Sequence, residues 1–269
     1  MKNNVYQIYY SDETCEALDS GFLPLDNTGQ RPDWREYWAI REFFIGNTAN
    51  PVERYGFLSP KFGQKAQLTS AQVMEFMDST PDDIDVVTFS PFYDMAAFCT
   101  NVFEHAAWAH PGILPAIEGA MELIAPGVDV NRLIMTSRQT VFCNYLIAKP
   151  TFWKQWLEMC DLIFKVAESG TGRLAGLLNA NVQYAGQLAP AKVFIIERIA
   201  SLILSTQPAW SIRNFNSMTL PASASPLSRF GADLLALDGL KYAAAQTGIS
   251  EYMTVFHQLR EGLKDRAFK

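Results

Sequence analysis

LIMTSRQTVFCNYLIAKPTFWKQWLEMCDLIFKV, residues 133–166, reads as two short β-segments, a turn and a strongly amphipathic helix. Its middle places one small polar residue, Asn144, inside an otherwise apolar strand. A polar group in a buried strand needs a hydrogen-bond partner, supplied by the chain or by a ligand. Asn144 is therefore a candidate substrate contact.

Working outward, strands alternate with helices. VYQIYY (Val5–Tyr10) is a first strand, followed by the polar SDE. Gly21–Arg31 reads as a loop from its Pro, Gly, Asn and Asp content. Asp33 can cap a helix over WREYWAIREFFI. Arg54–Leu58 is a second strand, Thr69 or Ser70 caps a helix through Met77, and Asp85–Phe89 is a third strand. Helices are expected at Met95–His110, Leu114–Ile124 and Ala191–Ser205, and a last strand at Trp210–Asn216. Glycines 170, 172 and 176 mark a flexible break. The alternation predicts an α/β fold with a mainly parallel sheet flanked by helices over residues 1–216. Residues 217–228, rich in Ser, Pro and Ala, read as a linker or lid, and the segment to 269 as a C-terminal helical extension.

The 269 residues are 49% hydrophobic and 19% charged, which supports a large core and argues against disorder. A net charge of −6 argues against a nucleic-acid partner. It leaves room for a nucleotide, whose phosphates need only one or two local cations or helix amides. Cys15, Cys99, Cys143 and Cys160 lack CxxC spacing and read as buried thiols of a reducing compartment. The start shows no signal-peptide core, and no apolar run approaches the length of a bilayer span. The expected location is the cytoplasm, with peripheral association at the inner membrane as the alternative.

Polar residues follow each of the first three strands: Ser11-Asp12, Ser59-Pro60-Lys61 and Ser90-Pro91. In a parallel sheet these loops open at one edge, where such sheets bind ligands. Ser, Asp and Pro are also ordinary turn residues, so each loop alone proves little. Lys61 is a candidate phosphate cation. Asp82-Asp83-Ile84-Asp85 contains a DxD, but it precedes its strand and reads as a solvated loop. Asn101, Glu104 and His105 share a helical face, so Glu104, alone or with His105, is a candidate base. The competing reading is a polar helix face beside Trp108. Glu197 sits in KVFIIERIASLIL with Ser201 one turn on. A carboxylate among apolar neighbours must be paired or must work. Tyr37, Trp38 and Arg41 suit a nucleobase or sugar face, although aromatics at helical spacing are more often core.

Taken in order, YQIYYSDE, DWREYWAIREFF, YGFLSPKF, DVVTFSPFYDMAAFCTNVFEHAAWAH, FCNYLIAKPTFWKQWLEMCDLIF and KVFIIERIASLIL resemble a bacterial capsular and exopolysaccharide glycosyltransferase-like family. That family is related to the GT-A-type nucleotide-sugar transferases. The resemblance spans about residues 5–205. It implies a GT-A-like nucleotide-diphospho-sugar fold, with donor at the end of the first strand and acceptor across the crevice. The second-strand loop, His- and Arg-rich in the family, is Ser59-Pro60-Lys61-Phe62 here. No metal-binding DxD follows a strand, which leaves a Mn²⁺ or Mg²⁺ requirement open, and the tail beyond about 217 has no counterpart.

The resulting expectation is a glycosyltransferase of surface polysaccharide synthesis. It would use a nucleotide-sugar donor and a glycan or lipid-linked acceptor. Tyr10, Ser11 and Asp12 would meet the nucleotide, and Lys61 the diphosphate. Asn144, Ser90 and His105 would face substrate, and Glu104 or Glu197 would take the acceptor proton in an inverting step, although a retaining route fits the same residues. The alternative is a non-catalytic GT-A-like protein that binds sugar or a partner enzyme. A weaker third reading is a small hydrolase using Glu104 with His105. The apolar helix 191–204 is either core or a face against a membrane-bound partner.

Overall fold

The computed structural model describes residues 1–184 and 186–269. Strands are β1 (Lys2–Tyr9), β2 (Leu23–Asp26), β3 (Glu53–Leu58), β4 (Val86–Thr88), β5 (Leu146–Ala148), β6 (Asn181–Tyr184), β7 (Gln187–Pro190) and β8 (Ile212–Asn214). The helices before β5 are α1 (Asp12–Glu16), α2 (Glu36–Gly46), α3 (Phe62–Ala66), α4 (Ser70–Asp78), α5 (Tyr93–Phe98), α6 (Val102–Ala109) and α7 (Leu114–Ile124). After it come α8 (Pro150–Ser169), α9 (Gly172–Asn179), α10 (Ala191–Ile196), α11 (Ile199–Thr206), α12 (Gly231–Thr247) and α13 (Glu251–Ala267).

Six strands form one mixed, mostly parallel sheet in the order β2-β1-β3-β5-β4-β8. β1 pairs parallel with β2 and β3, and β4 with β8, while β5 runs antiparallel to both its neighbours. β6 and β7 form a separate hairpin. The chain leaves β1 to one side for β2 and returns to the other side for β3. The C-terminal ends of β1 and β3 are therefore a topological switch point, the place where an α/β sheet leaves a crevice.

The β5 region corrects the sequence expectation. One three-residue strand replaces the two anticipated β-segments. Asn144 precedes it, in left-handed conformation with φ 53°, directly after Cys143 with φ 60°. Asn tolerates this region better than most residues, and a left-handed pair cannot continue an extended strand. The loop of residues 21–31 contains β2, paired in register with Tyr6–Tyr9. Its Leu23-Pro24-Leu25 was masked by flanking turn residues.

Helix ends follow local chemistry. Thr69 caps α4 through a reciprocal capping box with Gln72. Asp33 does not cap α2; it accepts from Arg31 and from the buried Lys192 at 2.8 Å, and Arg35 takes the cap position. The helix expected over 95–110 is broken, because Asn101 Oδ1 accepts the Phe103 and Glu104 amides and starts α6 anew. The helix expected over 191–205 is also broken, at Glu197-Arg198, between α10 and α11. Gly170 ends α8 with a positive φ of 64°, and Gly172 opens α9.

The core runs from α2 and β3 through α8 to α10 and α11, and Leu234, Leu237, Phe256 and Leu263 of α12 and α13 join it. Residues 191–204 are core, apart from half-exposed Glu197. The segment 217–228 buries Leu220 and Leu227. Ser223 is tied to Asp94, with its amide 2.9 Å from Asp94 Oδ1. All four cysteines are free. Among the described residues, no helix is long and apolar enough to cross a membrane.

Candidate functional site

A cleft of about 470 Å³ opens over the ends of β1 and β3. Tyr10 leaves β1, and Ser59, Pro60 and Lys61 leave β3. Lys65 of α3, Arg35 and Glu36 at the start of α2, Tyr184 of β6 and Glu197 between α10 and α11 complete its wall. The sheet edge identified in the sequence is thus where Glu13, Arg35, Glu36, Lys61, Lys65 and Glu197 face one concavity.

Glu197 owes its place to the break between the two helices, where its side chain keeps 31% of its surface exposed toward the cleft. Desolvation by the protein around it raises its pKa above the ordinary glutamate value. Arg198 opposes the shift and Glu36 adds to it. Arg198 Nη1 is 4.0 Å from the carboxylate, because its guanidinium is committed to the carbonyls of Val102 and Phe194.

The cations of the cleft lack such commitments. Among the described residues, no carboxylate oxygen comes within 4.0 Å of Arg35, Lys61 or Lys65. Lys65 Nζ reaches Cys143 Sγ at 3.3 Å. Burial pushes that thiol up to about 11, with Lys65 offsetting only part of the shift. A neutral thiol is a weak acceptor and makes no ion pair, so the ammonium charge is opposed only at longer range, by Glu197 among others.

The Tyr10 hydroxyl is enclosed beside Glu36 and makes no hydrogen bond of ordinary geometry among the described residues. Burial, reinforced by Glu36, holds its pKa well above the usual tyrosine value, so the phenol keeps its proton.

The wall behind the cleft comes from the β5 turn. Tyr145 Oη and Ser59 Oγ share a buried 2.8 Å hydrogen bond, and Tyr145 packs edge-on against Phe62. Asn144 itself does not reach the cleft. It is 3% exposed, with its Oδ1 unpartnered. Its role is to turn the backbone so that Cys143 meets Lys65 and Tyr145 meets Ser59.

Other expected site residues lie elsewhere. Ser11 caps α1, where Thr14 Oγ1 accepts the Tyr10 and Ser11 amides at 2.9 Å. Asp12 opens α1 and is exposed to solvent, and the residues of this turn that line the cleft are Glu13 and Thr14. Ser90 Oγ accepts from Phe142 N at 3.0 Å and is buried. Glu104 pairs with Arg260 at 2.7 Å and accepts the Thr100 amide, on the side of α6 facing α13. It does not hold His105, whose ring packs on Phe142 and whose pKa burial pulls down to about 3. Glu104 and Glu197 are therefore not alternatives at one site; only Glu197 belongs to the cleft. Ser201 does not face it either, because its Oγ accepts from Val141 N.

Tyr37 donates to Asp161 at 2.5 Å and packs among Trp34, Trp156 and Phe164, so the aromatics of α2 are core rather than a ligand face. The Asp82–Asp85 run is spent on structure. Asp82 meets the terminal amine at 2.9 Å, and Asp85 pairs with Lys149 and Ser211. Among the described residues, no group of three His, Cys, Asp or Glu side chains gathers at one point. A cation in this cleft would draw on Glu36 and Glu197 and on the ligand's own oxygens. Sequence reasoning missed Arg35, Lys65 and Tyr184, because nothing in a linear reading marks a left-handed arginine or the hairpin facing it.

Comparison of the chain with protein families, with curated proteins and with solved structures finds no match.

Proposed function

We propose that this chain is a glycosyltransferase that takes a sugar from a nucleotide-sugar donor in the β1–β3 cleft. The observation that carries the reading is the grouping of Arg35, Lys61 and Lys65, none of them ion-paired within 4.0 Å among the described residues, around Glu197 with its raised pKa, with Glu13 and Glu36 on the same wall. A donor diphosphate brings the direct anionic partner that Arg35, Lys61 and Lys65 lack, and its leaving charge is stabilised by the same groups. Tyr10 offers a hydroxyl donor to the ligand.

Glu197 acts as general base. The acceptor hydroxyl oxygen attacks the anomeric carbon while its proton passes to the carboxylate. The bond from that carbon to the diphosphate oxygen breaks, and the nucleoside diphosphate leaves with the electron pair. A raised pKa suits the task, since a base is most effective when its pKa approaches working pH. The acceptor class, a glycan or lipid-linked glycan, follows from the sequence resemblance.

The test is transfer of labelled sugar from a panel of nucleotide sugars to glycan and lipid-linked acceptors, with and without Mn²⁺. The expected result is product with one donor family, reduced about 10²–10⁴-fold by Glu197→Gln. Binding of donor without any transfer would favour the non-catalytic sugar-binding alternative. Turnover unaffected by Glu197→Gln would refute the assigned base.

A further inference from the structure

Arg35 occupies a backbone conformation, φ 47° and ψ −132°, that L-residues avoid and glycine accepts. Such a residue persists only when its surroundings over-determine it. Among those surroundings is the ring of Tyr184, whose centroid lies 5.4 Å from the guanidinium carbon; Glu197 acts on the same cation at longer range. Both side chains line the cleft.

A ring and a carboxylate hold an arginine in different ways. A carboxylate would neutralise the charge and consume the forked N–H donors. An aromatic face attracts the guanidinium through its quadrupole, leaving the charge and the in-plane donors free. Those donors match the paired oxygens of a phosphate.

The ring is itself anchored. Tyr184 packs 5.1 Å from Phe194, which stacks on His110 at 3.8 Å. His110 Nδ1 donates to Gln183 O at 2.8 Å, pinning the β6–β7 hairpin beside Tyr184. Phe194 lies on α10, three residues before Glu197. One aromatic stack therefore fixes the hairpin, the guanidinium and the helix end that presents the carboxylate.

We infer that Tyr184 is a positioning residue for the anionic part of the donor, holding Arg35 as the phosphate-reading fork of the cleft. The inference rests on the nucleotide-sugar reading of that cleft. It adds a structural reason for the hairpin, which the sequence resemblance does not touch.

The experiment is titration calorimetry of the full chain with inorganic pyrophosphate and with nucleoside diphosphates. Tyr184→Phe keeps the ring and should bind as the parent does. Tyr184→Leu should weaken binding about three- to thirty-fold. Arg35→Ala should weaken it at least as much, and adding Tyr184→Leu to Arg35→Ala should cost nothing further, because the two side chains act as one unit. Should Tyr184→Leu fold poorly, Tyr184→Met fills similar space and carries the same expectation. Equal affinity for parent and Tyr184→Leu, or losses that simply add in the double variant, would overturn this inference while leaving the cleft reading intact. A parent chain that binds none of these ligands would overturn both.

Discussion

Arg35 and Glu197 are each held in a state that folding alone disfavours, one in its backbone and one in its charge. For Arg35 the cost is a positive φ, of about 1–3 kcal/mol. Arg35→Gly removes that strain, so its melting temperature should rise while affinity for pyrophosphate falls; a scanning-calorimetry decrease would contradict the strain argument. For Glu197 the folded pKa lies above the unfolded one. Ionising it in place therefore lowers stability at pH values above the folded pKa, and the deficit disappears as pH falls through it. Glu197→Gln should melt roughly one to three degrees higher than the parent near pH 8. The gain should shrink toward zero near pH 4. A gain independent of pH would mean that packing, not ionisation, separates the two proteins.

At the scale of elements, the turn into β5 does the most to shape the cleft. Its two left-handed residues set Cys143 under Lys65 and Tyr145 behind Ser59. A β-branched residue tolerates positive φ poorly, so Asn144→Val should destabilise the fold by about 2 kcal/mol or more and weaken ligand binding. Asn144→Gly should preserve both, as read by urea denaturation and calorimetry. The same turn shows where sequence reading stops. LIAKP and the α8 helix were legible, because apolar runs, a proline at the helix start and amphipathic spacing are local signals. The backbone conformation of Cys143 and Asn144 was not, because it depends on partners far along the chain. The breaks at Asn101 and at Glu197-Arg198 were hidden likewise, since apolar spacing continues across them while the backbone turns. Lys61 and Glu197, which line the cleft, could be singled out from the sequence, one by its place after a strand and the other as a carboxylate among apolar neighbours. Glu104 carried a similar local signal but pairs with Arg260, a residue 156 positions away.

Across the whole molecule, α12 and α13 share the core of the sheet-bearing region. Leu237 and Phe256 are fully buried, and Lys241 Nζ donates to the carbonyls of Ala96 and Cys99. Leu237→Ala should cost about 2–5 kcal/mol. Helix content and tryptophan fluorescence should then report one shared urea transition at a lower midpoint; two separated transitions would mean that the C-terminal pair folds as its own unit. The long-range claim is that this body exists to hold an anion cleft at the β1–β3 switch point. A thermal-shift screen of the purified protein against nucleoside diphosphates and nucleotide sugars, with and without Mn²⁺, tests it most directly, since a ligand that binds only the folded state raises the melting temperature. The account predicts a clear shift with one nucleotide family, lost in Lys65→Met. No shift with any of them, on well-folded protein, would contradict it.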